Sequence, residues 1–311
     1  MSFSLTILGS SSAIPTTKRF PTAQLLNVDE RFFLIDCGEG TQIQMTRFKI
    51  RFARIEHIFI SHLHGDHIFG LFGLISTLSL MGRTNDLNIH AEPRLDGIIR
   101  SHLSYFGEDL PFRINFLPIR GSRPKVIFED DKLTVTAIPL KHRVPVFGFL
   151  FREKPRPRNI LREAITRNAI PVKQIALIKA GADFIDAEGK LILNENITLP
   201  QVPQRSYAFI TDTRMLEKNA DLLRDVDLLY HEATFLQKDV KLAHQTFHST
   251  AAEAAMLAVK CNARRLLLGH FSVRYKSSAL FLEEARNIFP ESYVVEDGDV
   301  YTVEQKHPGR R

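Results

Sequence analysis

The sequence predicts an α/β fold, and three observations carry that prediction. Strand-like and helix-like runs alternate over most of the 311 residues. Polar residues of catalytic type recur just after the strand-like runs, where open α/β sheets place the residues that meet ligands. One such stretch, Ser61-His62-Leu63-His64-Gly65-Asp66-His67, lies between the β-like run 57–60 and the apolar run 68–80, framed by a strand end and a helix start.

Taken in order, residues 4–8 read as a strand running into Gly9-Ser10-Ser11-Ser12 and a loop over 14–21. Strands over 24–28 and 31–35, separated by Asp29-Glu30, read as a hairpin ending at Asp36-Cys37-Gly38-Glu39-Gly40. Thr41 is placed to cap a helix through Arg47. Residues 68–81 are apolar on most sides, as expected of a helix pressed against a sheet. A strand at 88–91, a helix from Pro93 to Tyr105 and strands near 114–117, 125–128 and 132–139 continue the alternation, and His142 follows the last of them. Strands over 207–210 and 227–230 end in Thr211-Asp212-Thr213 and His231-Glu232-Ala233-Thr234. A helix over 250–260 follows His248-Ser249, a strand over 265–268 runs into Gly269-His270, a helix spans 278–288, and short strands near Tyr293 and Tyr301 close the fold. Residues 306–311 are expected to form a frayed basic tail.

The stretch 152–203 has a different character. Pro155, Pro157 and Pro171 punctuate it, and two short helical patterns fall at 159–167 and 172–180. Eight basic residues between 152 and 179 stand against Glu153 and Glu163, a net of +6 that equals the formal charge of the whole chain. A protruding basic arm, inserted into one domain spanning 1–311, is the expectation.

Composition narrows the classes. With 44% hydrophobic and 24% charged residues the chain reads as a folded globular protein. No apolar run approaches the roughly 20 residues that span a bilayer, and the first residues carry no basic leader, so a cytoplasmic protein without membrane association is expected. Cys37 and Cys261 are the only cysteines, too few for a disulfide framework, and read as packing residues.

His62 and His64, two residues apart, can point the same way from a short extended segment, while Asp66 and His67 turn across a helix start. One loop can therefore face two metal ions. Imidazole nitrogen with carboxylate oxygen is the donor set that borderline metals such as zinc favour.

The motifs Asp36-Cys37-Gly38-Glu39-Gly40-Thr41-Gln42, His231-Glu232-Ala233-Thr234-Phe235, His248-Ser249-Thr250 and His270-Phe271-Ser272-Val273-Arg274-Tyr275, in this order around the histidine loop, resemble those of the ribonuclease Z family within the metallo-β-lactamase superfamily. The resemblance covers nearly the whole chain. It implies a four-layer αβ/βα sandwich and a zinc-dependent endoribonuclease that cuts the 3′ trailer from precursor tRNA. It further implies that His62, His64 and His142 hold one of two zinc ions per subunit, that Asp66, His67 and His270 hold the other, and that Asp212 bridges them.

Two zinc ions lower the pKa of water towards about 7 and offset charge on a phosphodiester during in-line attack. Under the same resemblance Asp66 accepts a proton, His248 assists the transition state or protonates the departing oxygen, and Glu232 holds the His248 ring. Arg274 is a candidate phosphate grip. Arg156, Arg158 and Arg162 belong to the arm that would clasp tRNA, recognising backbone and shape. A homodimer is expected on the same footing. His57, His90, His102 and His244 match no family role and read as structural or exposed. Against the family pattern, Ile170-Pro171-Val172-Lys173 stands where the arm usually carries Gly-Pro. The loop of Pro15, Thr17, Arg19 and Phe20 has its lysine, Lys18, displaced by one. The alternatives are a hydrolase of a small phosphodiester or ester on the same scaffold, and a nucleic-acid-binding protein without catalysis.

Overall fold

The structure, a computed structural model, describes residues 2–14, 16–106 and 109–305. The expected tail at 306–311 and Pro15 lie outside the described residues. The elements in chain order are β1 (Phe3–Gly9), β2 (Ala23–Val28), β3 (Arg31–Ile35), α1 (Thr41–Arg47), β4 (Ile55–Phe59), α2 (Gly65–Leu80), β5 (Leu87–Ala91), α3 (Arg94–Phe106), β6 (Ile114–Pro118), β7 (Lys125–Glu129), β8 (Leu133–Pro139) and β9 (Phe147–Glu153). They continue with α4 (Arg162–Arg167), α5 (Val172–Lys179), β10 (Phe184–Ile185), β11 (Leu191–Ile192), β12 (Ser206–Ile210), β13 (Leu228–Glu232), α6 (Val240–Thr246), α7 (Ala251–Lys260), β14 (Leu266–Gly269), α8 (Ala279–Arg286), β15 (Ser292–Val294) and β16 (Val300–Thr302). The described residues gather into two compact units, one drawn from 2–128, 135–151 and 206–303, the other from 129–134, 152–205 and 304–305.

The larger unit is built on two seven-stranded sheets, ordered β16-β1-β2-β3-β4-β5-β6 and β15-β14-β13-β12-β9-β8-β7. Strand periodicity sorts their side chains into layers. Phe33 and Phe59 of the first sheet meet Phe128, Phe149 and Phe151 of the second, with Phe59 and Phe151 centroids 5.4 Å apart. The alternate residues Leu34, Ile58 and Ile89 pack outward with Ile68, Leu71, Leu74 and Ile75 of α2 and Leu95 and Ile99 of α3. On the far side Ala208, Ile210, Leu229 and Leu268 pack with Ala251, Ala254 and Leu257 of α7 and Phe281 of α8. Helices, sheet, sheet and helices thus form the αβ/βα sandwich. His57 and His90 belong to the aromatic layer between the sheets, their rings 3.1 Å apart between nitrogens, and burial pushes His90 down to about 3.

Several local expectations need correction. Thr41 does not cap α1. Gly40 does, in the left-handed region at φ 80°, where a Cβ would be strained and would strike Phe20, and the Thr41 hydroxyl donates to Gly38 O at 2.6 Å. Pro93 precedes α3 instead of opening it. β9 and α6 were not foreseen. β9 follows the Val144-Pro145 break and carries Gly148, packed so close to Phe209 O that a Cβ would lie 2.7 Å from it, and α6 spans only seven residues. His231 and Glu232 end β13 and do not follow it.

The smaller unit contains α4, α5 and the hairpin β10–β11 around Ala164, Ile170, Ile178, Phe184 and Ile197. α4 starts at Arg162, not at 159, because Ile160 is engaged in a bridge with Thr198. The buried Asn194 amide donates to Ile178 O and Ala182 O at 2.7 and 2.8 Å, tying α5 to the segment after β11. Arg152, expected to open the arm, is still inside β9. Next to it the buried Glu153 carboxylate accepts from the Arg205 guanidinium at 2.9 and 2.8 Å.

Candidate metal centre

The histidine loop is held by a glycine-mediated clamp. Gly38 lies so close to Asp66 O that a Cβ would sit 2.5 Å away, and Gly70 packs against Gly38 O, where a Cβ would come to 2.0 Å. Cys37 N donates to His67 O at 2.8 Å, and Gly70 N to Cys37 O at 2.9 Å. This locks the start of α2 against the end of β3. His64 is the extended N-cap of α2, so Asp66 and His67 occupy its first turn. Three further site residues, Asp36, Asp212 and His270, have positive φ of 56°, 44° and 60°. Each follows a strand, and the left-handed turn swings its side chain toward one cleft; such backbone conformations gather at functional sites.

Two donor groups result. His62, His64, His142 and Asp212 bring one donor atom each within 4.8 Å of one another, and Asp66, His67 and His270 do the same. Asp212 addresses both, with Oδ1 3.8 Å from His62 Nε2 and Oδ2 3.2 Å and 3.4 Å from the Nε2 atoms of His67 and His270. All seven residues singled out as ligands therefore converge.

The rings are oriented by their second nitrogens. His67 Nδ1 is 2.6 Å from Oδ2 of the buried Asp36, which also accepts from Ser61 N and Oγ. His142 Nδ1 faces Phe247 O at 3.2 Å, and His270 Nδ1 faces Thr234 Oγ1 at 2.9 Å. His67 and His270 point their Nε2 atoms inward, and these buried nitrogens make no aligned hydrogen bond. Unsatisfied buried nitrogens beside carboxylates, with the opposite ring edge fixed by an oxygen, are what a metal ligand requires. The donor set fits zinc.

Charge supports the fit. Burial disfavours ionisation of Asp66 and Asp212, yet the surrounding imidazoles hold both carboxyls below their usual range. Burial pushes His62, His64 and His142 down, toward the neutral form that binds metal. His67 is raised: burial opposes its charge, but Asp66, Asp212 and Asp36 outweigh that. The field that attracts a proton to its Nε2 attracts a cation to the same place.

His248 stands beside this cluster. Its Nδ1 is 2.9 Å from Oε1 of the fully buried Glu232, and although burial works against the charge, this carboxylate raises the imidazole to about 9. His231 is turned away, its Nδ1 2.7 Å from Glu232 O. The cleft measures about 340 Å³ and is lined by His64, Asp66, His142, Asp212, His248 and His270 together with Arg143 and Thr234. Arg274 is exposed on the turn beyond β14 and does not line it. Of the arm residues, Arg156 is paired with Glu153, Arg158 donates to Thr198, and Arg162 is exposed, as are Arg167 and Lys173. In the N-terminal loop Arg19 is paired with Glu296 and lies over the Phe271 ring.

Sequence reasoning missed Asp36, Thr234 and Arg143 as site residues. The first two lay inside quoted motifs, and Arg143 adjoins His142, but partners and orientation depend on long-range packing. Among the described residues no helix is long and apolar enough to cross a membrane.

Comparison with known proteins finds relatives over nearly the whole chain. The family described as anti-Pycsar protein Apyc1 matches residues 3–104. The ribonuclease Z of Bacteroides thetaiotaomicron is 44% identical over 301 residues, covering 97% of this chain and 95% of that protein. The solved structure of human tRNase Z, short form, superposes with a TM-score of 0.69 at 26% identity over 98% of this chain and 99% of that one. The metallo-β-lactamase fold protein YhfI of Bacillus subtilis gives a TM-score of 0.68 at 15% identity over 97% and 100%, a likeness of fold.

Proposed function

The chain belongs to the ribonuclease Z family, and we propose on that footing that it is an endoribonuclease removing the 3′ trailer of precursor tRNA, with a 3′-hydroxyl left on the tRNA and a 5′-phosphate on the trailer. The observation that carries this reading is the juxtaposition of two His/Asp donor groups with the His248–Glu232 pair in one cleft.

In this reading His62, His64 and His142 hold one zinc ion, Asp66, His67 and His270 a second, and Asp212 serves both. When bound, such a pair supplies Lewis-acid polarisation of a phosphoryl oxygen and lowers the pKa of water towards about 7. The chain's own residues do the rest. The half-buried Asp66 carboxylate accepts the proton of the attacking water. His248 has its Nδ1 engaged by Glu232, which leaves Nε2 to donate a proton to the departing 3′-oxygen, and Glu232 stabilises the imidazolium and keeps the ring from turning. Arg143 at the cleft wall, and Arg274 further out, offer planar forks to the phosphates beside the scissile bond.

The segment 152–203 serves as the tRNA-binding arm. Arg162, Arg167 and Lys173, exposed on or beside its two short helices, are suited to phosphate contacts remote from the cut, whereas Arg156 and Arg158 are tethered and shape the arm. A homodimer is part of the proposal, supported by the large apolar side chains Ile43 on α1, Phe69 and Leu80 on α2 and Met81 just beyond it, which are 59–87% exposed. A cytoplasmic location, where precursor tRNA is processed, completes it.

The test is direct. Incubated with end-labelled precursor tRNA, the protein is expected to make a single cut beside the discriminator base, abolished by a zinc chelator and restored by zinc. Intact RNA alongside brisk hydrolysis of a small ester or diester would overturn the substrate assignment.

A further inference from the structure

Thr234 has no part in the chemistry described so far, yet it touches both halves of the site. Its amide reaches Glu232 Oε2 at 3.2 Å and its hydroxyl donates to the same oxygen. Its Oγ1 also stands 2.9 Å from His270 Nδ1, and 3.3 Å from His248 Nδ1, whose nearer partner is Glu232. Thr234 is 4% and His270 2% exposed, so bulk water does not compete for these contacts.

A threonine hydroxyl has one proton to give. Two acceptors can claim it, the Glu232 carboxylate or the His270 ring. A hydrogen bond to a charged group contributes about 1.5–3 kcal/mol against about 0.5–1.5 for a neutral pair, so the carboxylate takes the proton. Only lone pairs of Oγ1 then face His270, and the 2.9 Å contact is a hydrogen bond only if Nδ1 carries hydrogen. That tautomer leaves the lone pair on Nε2, the atom 3.5 Å from Asp66 Oδ2 and 3.4 Å from Asp212 Oδ2.

We infer that Thr234 is a positioning residue that relays Glu232 to His270. One buried carboxylate thereby orients His248 directly and His270 through a hydroxyl, so that the proton donor and a metal ligand share a single anchor. The relay rests on the proposed role of His270 as a ligand.

Two measurements on the full chain decide it. In metal-free wild-type protein labelled with nitrogen-15 histidine, at an alkaline pH where the rings are neutral, the His270 nitrogen–proton correlations are expected to show Nδ1–H. An Nε2–H ring overturns the relay, whatever any variant does. Next, zinc affinity is read by competition with a chromophoric chelator. Thr234→Val, which keeps the shape and removes the hydroxyl, is expected to weaken one of two zinc sites by about 10–100-fold, as loss of a hydrogen bond behind a ligand does. Thr234→Ser is expected to restore it. Undiminished affinity in the valine variant, or failure of serine to rescue it, overturns the proposal. A wild type that binds no zinc overturns the ligand assignment separately, and the tautomer measurement still decides the hydrogen bond.

Discussion

The metal cleft and the basic arm treat charge in opposite ways. In the cleft, Asp36, Asp212, Glu232, His62, His67 and His270 are buried, and each interacts with others of the set or with a hydroxyl or backbone group beside it. In the arm, Arg162, Arg167 and Lys173 stand exposed around a small core of Ala164, Ile170, Ile178, Phe184 and Ile197. Buried, mutually oriented charges are preorganised and resist displacement, which suits bond breaking. Exposed, mobile cations are exchangeable counterions for a polyanion, which suits capture. Under the proposed function, turnover falls to the cleft and affinity to the arm.

The largest effect is expected from Asp212→Ala, which removes the one side chain common to both donor groups. Turnover of precursor tRNA should fall roughly 10⁴-fold or more, as when residues acting as a unit are deleted, with tRNA affinity within a few-fold of wild type by filter binding. A matching loss of affinity would mean that the cleft also captures.

Next comes Glu153→Ala, which removes the carboxylate that the buried Arg205 guanidinium donates to. Removing one partner of a buried pair costs about 3–5 kcal/mol, so urea unfolding followed by a probe in the arm should shift to markedly lower denaturant. Glu153→Gln should recover part of that.

Smaller again is reversal of the exposed arm charges, Arg162→Glu, Arg167→Glu and Lys173→Glu combined. KM for precursor tRNA is expected to rise while kcat and the hydrolysis of a small diester stay unchanged. The salt dependence of binding should flatten by roughly 0.7–0.9 in log–log slope per lost phosphate contact. An altered kcat would erase the division of labour.

The smallest effect is on titration. His248 lies above its ordinary value, at about 9, chiefly because Glu232 overcomes the penalty of burial. The contribution of this pair to stability is therefore fully present below about 6.5 and lost as pH rises through about 9. In metal-free protein, an NMR titration of His248 should show that midpoint, and Glu232→Gln should lower it by leaving only Asp212 and Asp66 to oppose burial.

What was legible in the sequence divides along the same line. The seven proposed ligands could be singled out because strand-end positions are local facts: His62, His64, Asp66 and His67 share one loop, and His142, Asp212 and His270 each follow a strand. The fold's alternation was visible for the same reason. β9, buried on both faces, has no alternation to mark it, and Pro145 and Gly148 at its start lower strand propensity. The supports Asp36 and Thr234 could not be assigned, since an oxygen's partner 31 or 36 residues away is set by tertiary packing. In the arm, the net charge could be counted, but which cations Glu153 and Thr198 would occupy could not.

The left-handed turns at Asp36, Asp212 and His270 bear on how such a protein can change over time. A residue other than glycine held there stores of order 1–3 kcal/mol of strain, and the cleft adds the repulsion of crowded carboxylates. At Asp212 and His270 a glycine relieves the strain, and a neutral residue in place of Asp212 relieves the repulsion. Loss of activity by such substitutions is therefore expected to raise stability, the usual trade between a strained site and a robust scaffold.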